Sequence, residues 1–159
     1  MKILLLGGHG FIGSHVNKKL VDLGHDVHIA SRRNGVDLCS LESIESSLQN
    51  HKPDAIINCA AHVGSVNYVS EFSADVIFDN VQMSINLYKA VANKCPFALI
   101  INPLSNCSYS GESDFQKEDD WLVGDVHHSV FSYGNSKRII YLISKCFKDQ
   151  YGIQSSNFI

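Results

Sequence analysis

The chain has 159 residues, a formal net charge of −3 at pH 7 and 45% hydrophobic residues. This length predicts one domain with a real core, and the weak acidity excludes the electrostatic footprint of a nucleic-acid or anionic-membrane binder. No apolar run approaches the roughly 18 residues of a membrane span, and five scattered cysteines favour reduced thiols in a cytoplasmic protein.

The first predicted element is an apolar strand over residues 3–6, which runs directly into a turn and a helix start. Three glycines in the turn have the spacing G-x-x-G-x-x-G: Gly7, Gly10 and Gly13. Such glycines permit a sharp turn, a close approach of the backbone to a pyrophosphate, and close packing of helix on strand. The helix that begins at Phe11 and Ile12 directs free N–H groups at the phosphates. A glycine-rich turn without a ligand is the alternative for this motif alone.

A helix to Gly24 and a second strand over Asp26–Ala30 follow, and then a loop that contains Arg32 and Arg33. In a dinucleotide-binding unit, the end of this strand meets the adenosine ribose. A carboxylate there favours NAD, whereas a basic residue accommodates the 2′-phosphate of NADP. The loop has no carboxylate, and guanidinium groups match phosphate geometry, so NADP is predicted, with NAD as the alternative. Two solvated arginines would explain the loop without a ligand.

The rest of the chain continues the alternation of strands and helices, with Ser40 as a predicted N-cap. Strands are predicted at residues 55–61, 97–101 and 155–159, helices at 40–50, 71–93 and 131–151, and loops at 62–69 and 105–129. This alternation predicts an α/β fold with a parallel sheet, helices on both faces and the strand order 3-2-1-4-5. The close histidine pairs lack the spacing of ligand pairs, so no metal site is predicted.

The last predicted helix carries the motif Tyr133-x-x-x-Lys137, whose spacing of four puts both side chains on one helical face. An ammonium beside a phenol favours phenolate and lowers the phenol's pKa, which makes the phenol a usable acid or base. The same lysine can hold the hydroxyls of a nicotinamide ribose. Ser105, just after the fourth strand, is a third candidate partner. A chance occurrence of the motif is the alternative.

Taken together, these motifs resemble the extended branch of the short-chain dehydrogenase/reductase superfamily, the NAD-dependent epimerases and dehydratases. The matching pieces are the glycine turn, Asp37-Leu38, residues 58–61, Asn80, residues 105–109 and Tyr133-x-x-x-Lys137. The resemblance implies a Rossmann-type doubly wound sheet. It implies that Tyr133 is the acid/base, that Lys137 is its electrostatic partner and ribose ligand, and that Ser105 bonds the substrate oxygen. It places Asp37 and Leu38 at the adenine, and Ala60 and Ala61 along the cofactor. Asn80 is either a residue near the active site or a polar residue of a helix surface.

Within this branch, Asn106 and Cys107 stand where sugar 4,6-dehydratases carry an Asp-Glu pair. A serine, one residue and a cysteine resemble the GDP-L-fucose synthase family, in which the cysteine is an epimerisation acid/base. The resemblance implies an NADP-dependent nucleotide-sugar epimerase/reductase that acts on a 4-keto sugar. A buried, inert Cys107 is the alternative. The relatives also imply a homodimer through the two long helices, although packing on the sheet would explain their apolar residues equally well.

The sequence also departs from these relatives. His9 stands where they commonly have arginine, and Ser110 where proline often follows the tyrosine. The family's enzymes are about twice as long, so the C-terminal substrate domain is expected to be absent. Residues 1–159 are then expected to be the NAD(P)-binding Rossmann domain of a longer enzyme. The alternatives are a truncated, non-catalytic NAD(P)-binding module and an NAD-linked sugar epimerase.

Overall fold

The computed structural model describes residues 1–111 and 115–159. In this part of the chain, parallel strands alternate with helices to form one five-stranded sheet. The strands are β1 (Lys2–Leu6), β2 (Asp26–Ala30), β3 (Ala55–Asn58), β4 (Leu99–Pro103) and β5 (Ser155–Phe158). The α-helices are α1 (Phe11–Asp22), α2 (Leu41–His51), α3 (Val66–Glu71), α4 (Ser73–Lys94) and α5 (Phe131–Tyr151).

Local sequence signals place most of these elements correctly. Ser40 caps α2, because its hydroxyl accepts the N–H of Ser43 at 3.2 Å. Helix α5 has the predicted bounds and ends at Gly152 in the left-handed conformation, with a φ of 72°. The predicted loop over residues 62–69 is wrong in its second half, since Ser65 accepts the N–H of Tyr68 and starts α3. The long helix predicted from residue 71 therefore begins at Ser73, after a break at Phe72.

The predicted strand order 3-2-1-4-5 is wrong, because the observed order is β2-β1-β3-β4-β5. Strand β3 pairs with β1, with Ile3 opposite Ala55 and Leu6 opposite Asn58. The reason lies in burial. Strand β2 carries Asp26 and partly exposed neighbours, which suit an edge, whereas Ala55 and Ile56 of β3 are buried and need a strand on each side.

Helices cover the two faces of the sheet unequally. Alternate strand residues such as Leu4, Leu6, Ile56 and Ile100 point into one core with side chains of α2, α4 and α5. The connection from β1 to β2 runs in the opposite direction, so a right-handed crossover puts α1 on the other face. The fold class predicted from the sequence, an α/β domain with a parallel sheet and helices on both faces, is confirmed.

The segment between β4 and α5 contains more regular structure than the predicted polar loop. Short 3₁₀ turns form at Asn106–Ser108, Glu118–Asp120 and His128–Val130, and Trp121 and Val126 are buried. An isolated antiparallel bridge joins Ser110 to Val126. Residues 112–114 of the predicted loop lie outside the described residues. In the described part of the chain, no helix is long and apolar enough to cross a membrane.

Candidate active site

A crevice lies at the carboxyl ends of β1, β2 and β3. Strands β1 and β3 are neighbours whose following connections run in opposite directions, and such a switch point leaves a crevice in a doubly wound sheet. The crevice has a volume of about 350 Å³. Its lining residues are Gly7, His9, Gly10, Ala30, Ser31, Arg32, Arg33, Asp37, Leu38, Cys39, Cys59, Ala60, Ala61, His62, Asp79 and Met83.

The glycine turn forms one wall of this crevice and has no room for side chains. Gly7 has a φ of 72°, and its N–H donates to the carbonyl of Ala30 at 2.9 Å. A Cβ on Gly7 would lie 2.8 Å from the Ala60 backbone, and one on Gly13 would overlap the Gly7 carbonyl oxygen. The turn is therefore pressed against β3 and the first turn of α1, which is the close packing that a pyrophosphate cradle requires.

Replacement of Gly13 by alanine tests this packing. We expect Gly13→Ala to lower the free energy of unfolding by about 2 kcal/mol, because the new methyl group overpacks a backbone contact. Gly10→Ala is the matched control, since its Cβ would meet the Gly7 oxygen at 3.2 Å. Urea denaturation of both variants measures the difference, and equal stability of the two would contradict the close contact between Gly13 and Gly7.

The basic residues that follow β2 lie on the same crevice. Arg32 and Arg33 sit in a 3₁₀ turn over Arg32–Asn34, and both line the cavity. His9 approaches from the glycine turn, with its Nδ1 2.7 Å from the Ser31 hydroxyl. Positive charge is thus concentrated at the end of β2, where the sequence predicted a site for the 2′-phosphate.

Asp37 and Leu38 line the same cavity beyond this turn. The Asp37 carboxylate accepts the N–H of Cys39 at 3.0 Å, and the Leu38 carbonyl accepts from the side chain of Asn86 at 3.2 Å. Leu38 is buried, so its side chain gives the cavity a fixed apolar wall.

The segment after β3 is held by α4 through His62 and Asn80. The Asn80 side chain accepts the N–H of His62 at 2.9 Å and donates to its carbonyl at 2.8 Å. The His62 ring lies 2.8 Å from both Asp79 and the Tyr68 hydroxyl. Asn80 is only 3% exposed, so it is not a polar residue of a helix surface. These bonds fix Ala60 and Ala61 on the cavity floor.

Tyr133 and Lys137 lie on one face of α5, as the spacing predicted. The Lys137 Nζ is 5.5 Å from the centre of the Tyr133 ring and donates to the Pro103 carbonyl at 3.4 Å. Lys137 is only 5% exposed, and this burial lowers its pKa from 10.5 to about 8, an effect that the electrostatic contribution of the nearby Cys59 partly opposes. Cys59 also lines the cavity, so it connects this pair to the crevice.

The expected lowering of the Tyr133 pKa is not observed. Burial raises the pKa of the Tyr133 phenol, and the nearby Cys107 raises it further because two anions would repel. Loss of water disfavours the phenolate and the ammonium alike, so burial shifts both pKa values towards the neutral forms, while Lys137 stays mostly protonated below about pH 8. The spacing of the two side chains was predictable from the motif, but their desolvation was not.

Ser105 and Cys107 lie on a short turn that packs against α5. The Ser105 hydroxyl accepts the N–H of Cys107 at 3.2 Å and so caps the 3₁₀ turn over Asn106–Ser108. Cys107 is half-buried and close enough to Tyr133 to affect its pKa. A Cβ on Gly134 would overlap the Cys107 carbonyl oxygen, so the turn and the helix are in direct contact.

The predicted site residues thus form two adjacent groups. The residues around the glycine turn and the ends of β2 and β3 line the crevice, whereas Ser105, Cys107, Tyr133 and Lys137 lie beside it on α5 and the turn. Phe11 and Ile12 occupy the exposed start of α1 and contribute no side chain to the lining. Sequence reasoning missed Asp79 and Met83, which reach the cavity because α4 packs beside it, and no local motif marks them.

A second Tyr-x-x-x-Lys motif on α5 was also missed. Tyr141 and Lys145 have the same spacing as Tyr133 and Lys137, and the Lys145 Nζ also lies 5.5 Å from its tyrosine ring. Lys145 is exposed, however, and Tyr141 packs edge-on against Trp121, away from the crevice. Only burial and position distinguish the two pairs. Among the described residues, no group of three or more His, Cys, Asp or Glu side chains is placed to hold a metal ion.

Comparison with known proteins yields a family match and a set of distant relatives. A model of the NAD dependent epimerase/dehydratase family matches residues 3–159. The chain is 25% identical over 160 residues to a GDP-L-fucose synthase of Dictyostelium discoideum, covering 99% of the chain and 50% of that protein. It is 27% identical over 159 residues to a GDP-L-fucose synthase of Sinorhizobium fredii, covering 99% of the chain and 49% of that protein.

A solved structure shows the same fold. It is MlghC, a GDP-mannoheptose C4 reductase from Campylobacter jejuni with NADP bound. The TM-score is 0.87 and the sequence identity is 20%, and the match covers 98% of this chain and 49% of the MlghC chain. At this identity, the likeness is evidence for the fold alone. The chain spans about half the length of the curated relatives it matches.

Proposed function

The chain belongs to the NAD dependent epimerase/dehydratase family, and from that premise we propose that it carries the cofactor cradle and acid/base group of an NADP-dependent nucleotide-sugar epimerase/reductase. The observation that carries this proposal is the position of the Tyr133–Lys137 pair. The pair lies near Cys59, which lines the crevice of about 350 Å³. The described residues form a single sheet, which supports the proposal that residues 1–159 are one NAD(P)-binding domain.

The crevice fits NADP. Gly7, Gly10 and Gly13 pack closely on neighbouring backbone and so hold the turn that would cradle the pyrophosphate, while the start of α1 at Phe11 and Ile12 would offer free N–H groups to it. Asp37 and Leu38 would hold the adenine, Ala60 and Ala61 would lie under the cofactor, and Arg32 and Arg33 would bind the 2′-phosphate. The cofactor, when bound, supplies the hydride for reduction of a carbonyl.

The residues beside the crevice would hold and move the protons. Tyr133, whose raised pKa keeps the phenol protonated, would donate a proton to the developing alkoxide of a 4-keto sugar. Lys137 would bond the nicotinamide ribose, and Ser105 would bond the substrate oxygen. Cys107 would exchange protons at the carbons next to the ketone, as the epimerisation requires.

Titration with NADPH and NADH tests the cofactor assignment. We expect Arg32→Ala to weaken NADPH binding by about 10- to 100-fold, because a guanidinium–phosphate hydrogen bond is charge-assisted, and to change NADH binding by less than about 2-fold. Lys148→Ala, which removes an exposed cation of α5, is the control. Nicotinamide fluorescence gives both dissociation constants, and an equal loss for the two cofactors would contradict the assignment of NADP.

Oxidation of NADPH in the presence of a GDP-4-keto-6-deoxyhexose tests the reaction. Turnover that depends on this substrate would support the epimerase/reductase. Binding of NADPH without turnover would instead support a non-catalytic NAD(P)-binding module, and tighter binding of NADH than of NADPH would favour an NAD-linked sugar epimerase. Absence of binding by either cofactor would overturn all three.

A homodimer through the two long helices stays a prediction. Some apolar residues of α4 and α5 pack on the sheet, but Phe78, Ile85 and Leu142 are 65%, 42% and 48% exposed. These are the side chains that such an interface would bury.

A further inference from the structure

Arg138, which directly follows Lys137, has a role that the catalytic motif does not include. Its Nε donates to the Ser108 carbonyl at 2.7 Å, and its Nη1 donates to the Gly124 carbonyl at 2.8 Å. A longer contact joins its Nη2 to the Val123 carbonyl at 3.5 Å. One guanidinium on α5 therefore holds two loop segments, the Asn106–Ser108 turn and residues 123–124.

The turn with Cys107 is consequently attached to α5 at both ends. Lys137 bonds the Pro103 carbonyl before the turn, and Arg138 bonds the Ser108 carbonyl at its end. Between these two attachments, the Cys107 carbonyl contacts the helix directly, because Gly134 has no side chain. The bonds within the turn, namely the cap from Ser105 and the backbone bonds of Ser108 and Tyr109, shape it locally, whereas these attachments hold it against the helix that carries Tyr133.

An arginine suits this position better than a lysine. The planar guanidinium presents donors in several fixed directions, so it can bond carbonyls of two segments simultaneously. A lysine of similar reach carries one ammonium on a flexible stem. The second segment is itself anchored, since Trp121 packs on Tyr141 and Val126 is buried.

We propose that Arg138 is a positioning residue that holds the Cys107 thiol beside Tyr133 by bonding the Ser108 and Gly124 carbonyls to α5. The role of Cys107 as an acid/base rests on the proposed function, whereas the clamp itself rests on the hydrogen bonds of Arg138. Loss of the guanidinium frees the end of the turn without touching the crevice, so cofactor binding is retained.

Thiol alkylation in the intact chain tests the clamp without any assumption about activity. Iodoacetamide labelling of Cys107 is compared by peptide mass spectrometry with that of Cys95, a partly buried thiol at the end of α4 that bonds the Leu48 carbonyl. We expect Arg138→Met to raise the Cys107/Cys95 labelling ratio by about 10-fold, because loss of these bonds favours local opening of the turn. Arg138→Lys should give a smaller rise, and Lys145→Met, which removes an exposed cation of α5, should leave the ratio unchanged.

The labelling ratio separates local positioning from general destabilisation, which would accelerate both thiols together. An unchanged ratio in both Arg138→Met and Arg138→Lys would overturn the proposal. If the methionine variant does not fold, the ratio in Arg138→Lys alone decides.

A second experiment compares deuterium incorporation into the keto sugar with hydride transfer from NADPH. We expect Arg138→Met to lower incorporation by about 10-fold more than hydride transfer, with an unchanged KM for NADPH. An equal loss of deuterium incorporation and hydride transfer would contradict the link between Arg138 and Cys107. Absence of both reactions in the unaltered protein would count against the proposed function, but not against the role of Arg138 in holding the turn.

Discussion

Tyr133→Phe is expected to lower turnover of a 4-keto sugar by about 10³-fold, which is the usual contribution of a positioned general acid. The phenol is half-buried and lies beside the crevice, and burial raises its pKa, so its proton is present at neutral pH. Phenylalanine keeps the ring that packs near Lys137 and removes only the hydroxyl. The steady-state rate of NADPH oxidation measures the loss, and NADPH affinity should change by less than about 2-fold.

The chain provides a matched control for this variant. Tyr141 lies two turns further along α5, has a lysine at the same spacing and packs on Trp121 outside the crevice. Tyr141→Phe should therefore retain nearly full activity. Comparable losses in the two variants would show that a tyrosine hydroxyl on α5 acts through stability, and Tyr133 would then lose its assignment as the acid.

Lys137→Met is expected to lower turnover strongly and at the same time stabilise the fold. The ammonium is buried, bonds Pro103 and lies near Cys59 of the crevice, and its loss should reduce the turnover rate by about 10²- to 10³-fold. Burial has lowered its pKa from 10.5 to about 8, so the charged form is costly in the folded protein at neutral pH. An uncharged side chain of similar length removes this cost. The lowered pKa corresponds to a cost on the order of 3 kcal/mol, and the contribution of the lost hydrogen bond to Pro103 is subtracted from it.

The pH dependence of stability identifies the source of this effect. Below about pH 8, Lys137 is protonated in both the folded and unfolded chain, and the folded state bears the full cost of the buried charge. Between pH 8 and 10.5 the folded protein loses the proton first, so the contribution of Lys137 to stability rises with pH. Urea denaturation at pH 7 and pH 9.5 should show this gain in the unaltered chain and in Lys145→Met, but not in Lys137→Met. A gain of equal size in Lys137→Met would contradict the assigned burial.

The burial of Lys137 is informative about its role. A buried lysine with only one long hydrogen bond to a carbonyl is poorly compensated within the described structure. A partner such as the hydroxyls of a ribose would supply the missing bonds. This is a physical reason to assign Lys137 a ligand-binding role, beyond its place in a motif.

Much of the fold was predictable because its signals are local. The cap at Ser40, the left-handed Gly152 and the apolar run of β1 each depend on residues that are close in sequence. The same holds for the glycine turn, since Gly7 permits a left-handed backbone and Gly13 permits close contact with the Gly7 carbonyl six residues earlier. The candidate site residues on these elements could therefore be named before any three-dimensional contact was known.

The sequence by itself determined the alternation of strands and helices, the glycine turn between β1 and α1 and the placement of Tyr133 and Lys137 on one helical face. The tertiary structure alone decided the position of β3 beside β1, the burial that distinguishes Lys137 from Lys145, and the clamp that Arg138 forms on the turn with Cys107. The physical reason is the range of the interactions. Periodicity and capping act over a few residues, whereas strand order, desolvation and loop attachment depend on segments that are distant in sequence and meet only when the core is packed.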